Sequence, residues 1–100
     1  MPITVQIQDE RGDRLGDLWI HPLSSSLLAG DHPGTSCLRF IDLYGDTTFN
    51  QLQIPALVAE LTELDSRLLD PELRLVLRDL IEFVSAAEDQ MHCYVKFIGD

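Results

Sequence analysis

Residues 54–87 read IPALVAELTELDSRLLDPELRLVLRDLIEFVSAA, two leucine-rich runs broken by Leu69-Asp70-Pro71-Glu72. In the first run Leu57, Leu61, Leu64 and Leu68 recur at spacings of three and four. Glu60, Glu63 and Arg67 fall together on another side, the pattern of an amphipathic helix. Pro55 fits the first helical position, and Glu63 precedes Arg67 at the favourable (i, i+4) spacing. At the break Asp70 supplies a cap, Pro71 a start and Glu72 a negative charge at the positive end of the next helix. Leu73, Val76, Leu77, Leu80, Ile81, Val84 and Ala87 then form one broad apolar stripe, flanked by Phe83, while Arg74, Arg78, Glu82 and Ser85 face away. Two such helices joined by a few residues make an antiparallel hairpin, and its stripe requires a second layer to cover it.

The flanking segments read as that layer. Ile3 to Gln8 alternates apolar and polar residues, the period of a half-buried strand. Asp9 to Asp13 is the following turn, with Gly12 available for a positive φ. Leu15 to His21 returns as a second strand, with Leu18 and Ile20 on one face and Trp19 on the other, and Pro22 ends it. Leu23 to Ser36 is rich in serine, glycine and proline and reads as a long irregular segment. Cys37 to Leu43 reads as a third strand and Thr47 to Phe49 as a fourth, paired as a hairpin across the turn Tyr44-Gly45-Asp46. Met91 to Ile98 reads as a last strand. The expected order is β-β-β-β-α-α-β. It defines an α+β fold with an antiparallel sheet of about five strands and the helical hairpin packed on one face, in a single domain over residues 1–100.

With 100 residues the chain supports one core. Its 17 acidic and 7 basic side chains give a net charge of −10, spread as −4 over residues 1–50 and −6 over residues 51–100. A phosphate backbone or an anionic membrane surface repels such a chain, so neither nucleic acid nor membrane is an expected partner. No apolar run is long enough to span a bilayer and Met1-Pro2-Ile3 begins no signal peptide, so a cytoplasmic location is expected. The two cysteines, Cys37 and Cys93, are then reduced thiols that act as small buried hydrophobes.

Catalytic spacing is scarce. His92 and Cys93 are adjacent, so on a strand they point to opposite faces and cannot share one metal ion. Neither cysteine precedes a helix start that would lower its pKa, although pairs with His32 or His92 can be drawn. Gly30 and Gly34 flank Asp31-His32-Pro33 without a following basic residue, a poor phosphate cradle. Neither a metal nor another cofactor is expected.

The densest polar stretch is Phe40 to Gln53. Within it Gly45 is free to take a left-handed conformation, and Asn50 and Gln51 are placed to cap the coming helix. Residues 41–53 resemble a recurring segment of small uncharacterised bacterial proteins, read as I-D-x-Y-G-D-T-x-F-N-x-L-Q. The resemblance implies no activity. The acidity, the absence of catalytic spacing and this cluster favour a non-enzymatic module that binds a basic protein, as an immunity or inhibitor-like protein does. Asp42, Tyr44 and Asp46 from the turn, with Asp31 from the adjoining loop, are the expected contact residues. The competing reading is a small enzyme or small-molecule binder using residues 42–53 and the loop 30–34. A third is a homo-oligomer, because Trp19 and Leu75 both point away from the expected core and a homodimer would cover at least one of them.

Overall fold

The computed structural model describes residues 3–20, 28, 34–42, 44–90 and 92–99. The elements are β1 (Ile3–Gln8), β2 (Arg14–Ile20), a 3-10 turn (Leu38–Phe40), β3 (Asp46–Phe49), α1 (Ile54–Arg67), α2 (Pro71–Glu88) and β4 (Tyr94–Ile98). The fold is α+β. Its strands form one antiparallel sheet in the order β2-β1-β4-β3.

The hairpin β1–β2 closes as its turn chemistry requires. Asp9 Oδ1 accepts from the amides of Arg11 and Asp13, and Gly12 adopts φ +84° between them. Ile3 faces Ile20, Val5 faces Leu18 and Ile7 faces Gly16. The register then slips, so that Gln8 faces Arg14 and Leu15 is the extra residue of a β-bulge. Gly16 lies against the Phe83 ring, and an added Cβ would meet it at 3.5 Å, an ordinary contact distance.

Both helices begin as the residues dictate. Asp70 Oδ1 accepts from the Glu72 amide at 2.9 Å, with Pro71 at the first helical position of α2. Ahead of α1, Asn50 Oδ1 accepts from the Gln53 amide at 3.1 Å while Gln53 Oε1 accepts from the Asn50 amide at 2.9 Å, a reciprocal cap. Gln51 does not cap the helix: its amide instead bonds the Gln90 carbonyl and the Cys93 amide, tying this turn to the entry of β4. Arg74 and Arg78 of α2 reach Asp65 of α1 at 3.5 and 3.6 Å. Asp65 Oδ1 and Arg74 Nε have no well-formed hydrogen bond, so this contact compensates charge without a directional bond.

One face of the sheet meets the helices. Ile3, Val5, Ile7, Ile20, Phe49, Val95 and Phe97 form one core with Leu57, Leu61, Leu77, Leu80, Val84 and Ala87. Leu64, Val76 and Ile81 pack at its margin, and Leu73 is half-buried. Phe49 and Phe97 meet edge-on with centroids 5.8 Å apart. Cys37 and Cys93 are free thiols, both buried in the same core.

The expectation of about five strands is corrected to four among the described residues. Residues 37–42 form no strand; Leu38–Phe40 is a 3-10 turn, and Leu43, the last residue of the expected strand, lies outside the described residues. The amides of Ser36, Cys37 and Leu38 all donate to the Glu60 carboxylate. Consecutive amides of a strand point in opposite directions, so three in succession cannot converge on one carboxylate. β3 therefore pairs with β4 rather than folding back on residues 37–43.

Because Leu80 is 1% exposed in this core, Leu80→Ala should cost about 2–5 kcal/mol in chemical denaturation. Leu75, 64% exposed on α2, should tolerate Leu75→Ala within about 0.5 kcal/mol. Equal losses at the two positions would contradict the helix orientation.

Candidate functional site

The segment from Phe40 to Asp46 is positioned by a chain of hydrogen bonds that starts on α1. Glu60 Oε2 accepts from the Ser36 amide and hydroxyl at 2.9 Å each, and Oε1 accepts from the amides of Cys37 and Leu38 at 3.1 and 3.0 Å. Partial burial works against the Glu60 charge, but these bonds outweigh it and hold the carboxyl below its usual value. The turn that follows is braced by Thr47, whose hydroxyl donates to the Phe40 carbonyl and accepts from the Asp42 amide, each at 3.2 Å. Asp42 Oδ1 accepts from the Tyr44 amide at 2.8 Å. The Gly99 amide donates to the Gly45 carbonyl at 2.8 Å and fastens the turn to the end of β4.

Gly45 does not adopt a left-handed conformation; the positive-φ glycines among the described residues are Gly12 and Gly34. Its reason is steric, since an added Cβ would come within 3.0 Å of Asp42 Oδ2. A side chain there would push that carboxylate, the free end of an exposed side chain, by a few tenths of an ångström.

Asp42, Tyr44 and Asp46 are thus brought together on one turn, all exposed. Asp31 lies outside the described residues. Tyr44 is 70% exposed, and the nearby Phe40 is 62% exposed with the Arg39 guanidinium 5.3 Å from its ring centroid. Asp46 pairs with Lys96 of β4 at 3.4 Å. The result is two exposed aromatic rings beside two carboxylates, on a backbone fixed at both ends. Phe40 was not among the contacts expected from the sequence, which reads residues 37–43 as a strand. The 3-10 turn instead buries Leu38 and Ile41 and turns Phe40 out.

At the opposite end of β4 lies an open groove of about 530 Å³, lined by Asn50, Gln51, Leu52, His92, Cys93 and Tyr94. Half of that lining comes from the polar stretch 42–53; of the loop 30–34 expected to join it, only Gly34 is described. His92 has φ +59°, rare for a side chain of its size, and its Nδ1 lies 4.0 Å from Glu10 Oε2. Cys93 is buried beneath it, and its Sγ lies 3.4 Å from Gln90 Oε1. Burial, and then the charge of Asp9, push the Cys93 thiol up; burial and then Glu60 do the same to Cys37. Raised thiols are poor nucleophiles at neutral pH. His32, the other drawn partner of the cysteines, lies outside the described residues. No group of three or more His, Cys, Asp or Glu side chains converges among the described residues, and none of their helices is long and apolar enough to cross a membrane.

No protein-family model, curated protein or solved structure matches this chain. The reading of the site therefore rests on its own chemistry.

Glu60 gives that reading a pH test. Its folded-state pKa lies below the unfolded value, so its contribution to stability is complete above about pH 4.3, the usual glutamate value, and disappears as the pH falls through the lowered folded value. Glu60→Ala should lose about 1–3 kcal/mol at neutral pH and flatten the acid limb of a stability-versus-pH curve. An unchanged acid limb would show that the carboxylate does not hold residues 36–38.

Proposed function

We propose that this chain is a non-enzymatic protein-binding module that docks a basic partner through the Asp42–Asp46 turn, in the manner of an immunity or inhibitor-like protein. The observation that carries the reading is Tyr44, whose ring is 70% exposed and which lies in sequence between Asp42 and Asp46 on a turn braced from both sides. Interface hot spots combine these features: a rigid aromatic anchor, few bonds left to order, and charges that select the partner. The net charge of −10 supplies the long-range attraction, which acts on the encounter rate more than on the lifetime of the complex. Among the expected carboxylates Asp42 carries the more available charge, since Lys96 already offsets Asp46.

A second reading draws on the groove beside His92 and Tyr94. Its volume lies in the range of about 300–1,000 Å³ typical of small-molecule sites, and Leu52 and Tyr94 give it an apolar wall. The partner reading is preferred because the side-chain amide of Gln51, one of the polar groups lining that groove, is already bonded to residues 90 and 93.

Capture from the native cell on the immobilised chain, followed by association and dissociation kinetics with the recovered partner, tests the proposal. Asp42→Asn keeps the acceptor that the Tyr44 amide needs while removing the charge. It should slow association severalfold and weaken its salt dependence. Asp46→Lys should do the same more strongly, with a thermal melt reporting whether the fold survives the loss of the Lys96 pair. Tyr44→Ala should speed dissociation about tenfold or more. An acidic partner, or variants that fold and bind as the parent does, would overturn the assignment.

A further inference from the structure

Residues 36–41 enter the core without the backbone ladders that fix the strands and helices around it. Cys37, Leu38 and Ile41 are 1%, 1% and 6% exposed. Yet the backbone bonds of this segment close on itself, from the Phe40 amide to the Cys37 carbonyl and from the Ile41 amide to the Leu38 carbonyl. Among the described residues, no backbone group of 36–41 bonds the backbone of a strand or of either long helix. Its attachments to other elements run through side chains. The Glu60 carboxylate takes the amides of Ser36, Cys37 and Leu38 and the Ser36 hydroxyl. The remaining polar ties are the Thr47 hydroxyl on the Phe40 carbonyl at 3.2 Å and the Cys37 thiol on the Gln53 carbonyl at 3.8 Å, the latter a weak sulfur contact.

We infer that residues 36–41 form a strap over the core, latched by the Glu60 carboxylate, which lifts as a unit while the sheet and the helical hairpin stay folded. Proteins open locally where few bonds tie a segment to its neighbours, at a lower free energy than the whole domain requires. Lifting this segment breaks no strand ladder and no turn of α1 or α2. The latch is concentrated in one group. The amides of Cys37 and Leu38 are partly buried and share the single acceptor Glu60 Oε1. Without it they need water, and water reaches them only when the strap rises. Opening uncovers the Cys37 thiol together with the apolar surface of Leu38 and Ile41, so access to that thiol is governed from α1. The inference stands apart from the basic-partner reading, which concerns the turn that follows the strap.

Thiol labelling of the native chain across low urea concentrations tests it, read by peptide mass so that Cys37 and Cys93 are counted separately. A closed thiol 1% exposed reacts only through opening. Cys37 should therefore label faster than global unfolding allows, with a urea dependence below about half the equilibrium slope. Glu60→Ala should speed Cys37 labelling about tenfold or more. If a thermal melt shows that this variant does not fold, Glu60→Gln, which keeps one acceptor oxygen of the two, should show a smaller increase in the same direction. Ile20→Val, buried on β2 at the sheet edge opposite β3, should lower the urea midpoint and leave the Cys37 rate unchanged, because the lifted state keeps that contact. Labelling of Cys37 with the full equilibrium slope, a Cys37 rate that Ile20→Val raises in step with the midpoint shift, or one that loss of the Glu60 carboxylate leaves unmoved would overturn the inference.

Discussion

Everything in this fold hangs on the antiparallel pairing of β1 with β4. β2 reaches the sheet only through β1, and β3 only through β4, so the central pair is the one link between two halves of the sheet. It joins segments roughly 90 residues apart, and the entropy of closing such a loop grows only slowly with its length. The cost falls mainly on folding rate, because distant strands must meet before any contact rewards them. What makes the meeting worthwhile is the helical hairpin between them. Val5, Val95 and Phe97 are fully buried only because Leu57, Leu61, Leu77 and Leu80 cover the same strands. Pairing and packing form together or not at all.

That constraint also decides what remains for function. A core of this size uses one face of the sheet and one stripe of each helix, and leaves the rest to solvent. The 42–46 turn draws rigidity from the central strand, through the Gly99–Gly45 bond and the Lys96–Asp46 pair, rather than from its own short length. On the proposed reading, a contact surface fixed to a central strand loses little freedom when a partner arrives. Glu60 performs a similar service from α1 for the preceding residues 36–38.

Much of the architecture was legible because its signals are local. The periodicity of residues 54–87, the Asp70-Pro71 boundary and the alternation in Ile3–Gln8 each express a preference that burial then satisfies. Trp19 was readable as facing away from Leu18 and Ile20 for the same reason. Residues 37–43 were not readable: their apolar content suits a strand, and the carboxylate that bends them into a 3-10 turn stands more than 20 positions along the chain. Glu60 looked like one more charge on a polar helix face. In the site, the grouping of Asp42, Tyr44 and Asp46 followed from their closeness in sequence. The pairing of Asp46 with Lys96 and the groove between residues 50–52 and 92–94 follow from strand register, which no local pattern announces. Gly45 was recognised as a turn residue for the wrong physical reason, since the close approach of Asp42 rather than a positive φ favours a small residue there.

The bulge at Leu15 has a bearing on how copies of this chain can grow together. An edge strand with regular, unpaired backbone groups is a template on which further chains add without end, the route to fibres. Here β2 is bent out of register at one edge, with Arg14 and Asp17 beside the bend, and β3 at the other edge is four residues long and starts on Asp46. Neither edge offers a straight, apolar ladder to an incoming strand. An incoming strand therefore meets a bend at one edge and a short, charged start at the other, and both disfavour the lateral extension by which sheets grow into filaments.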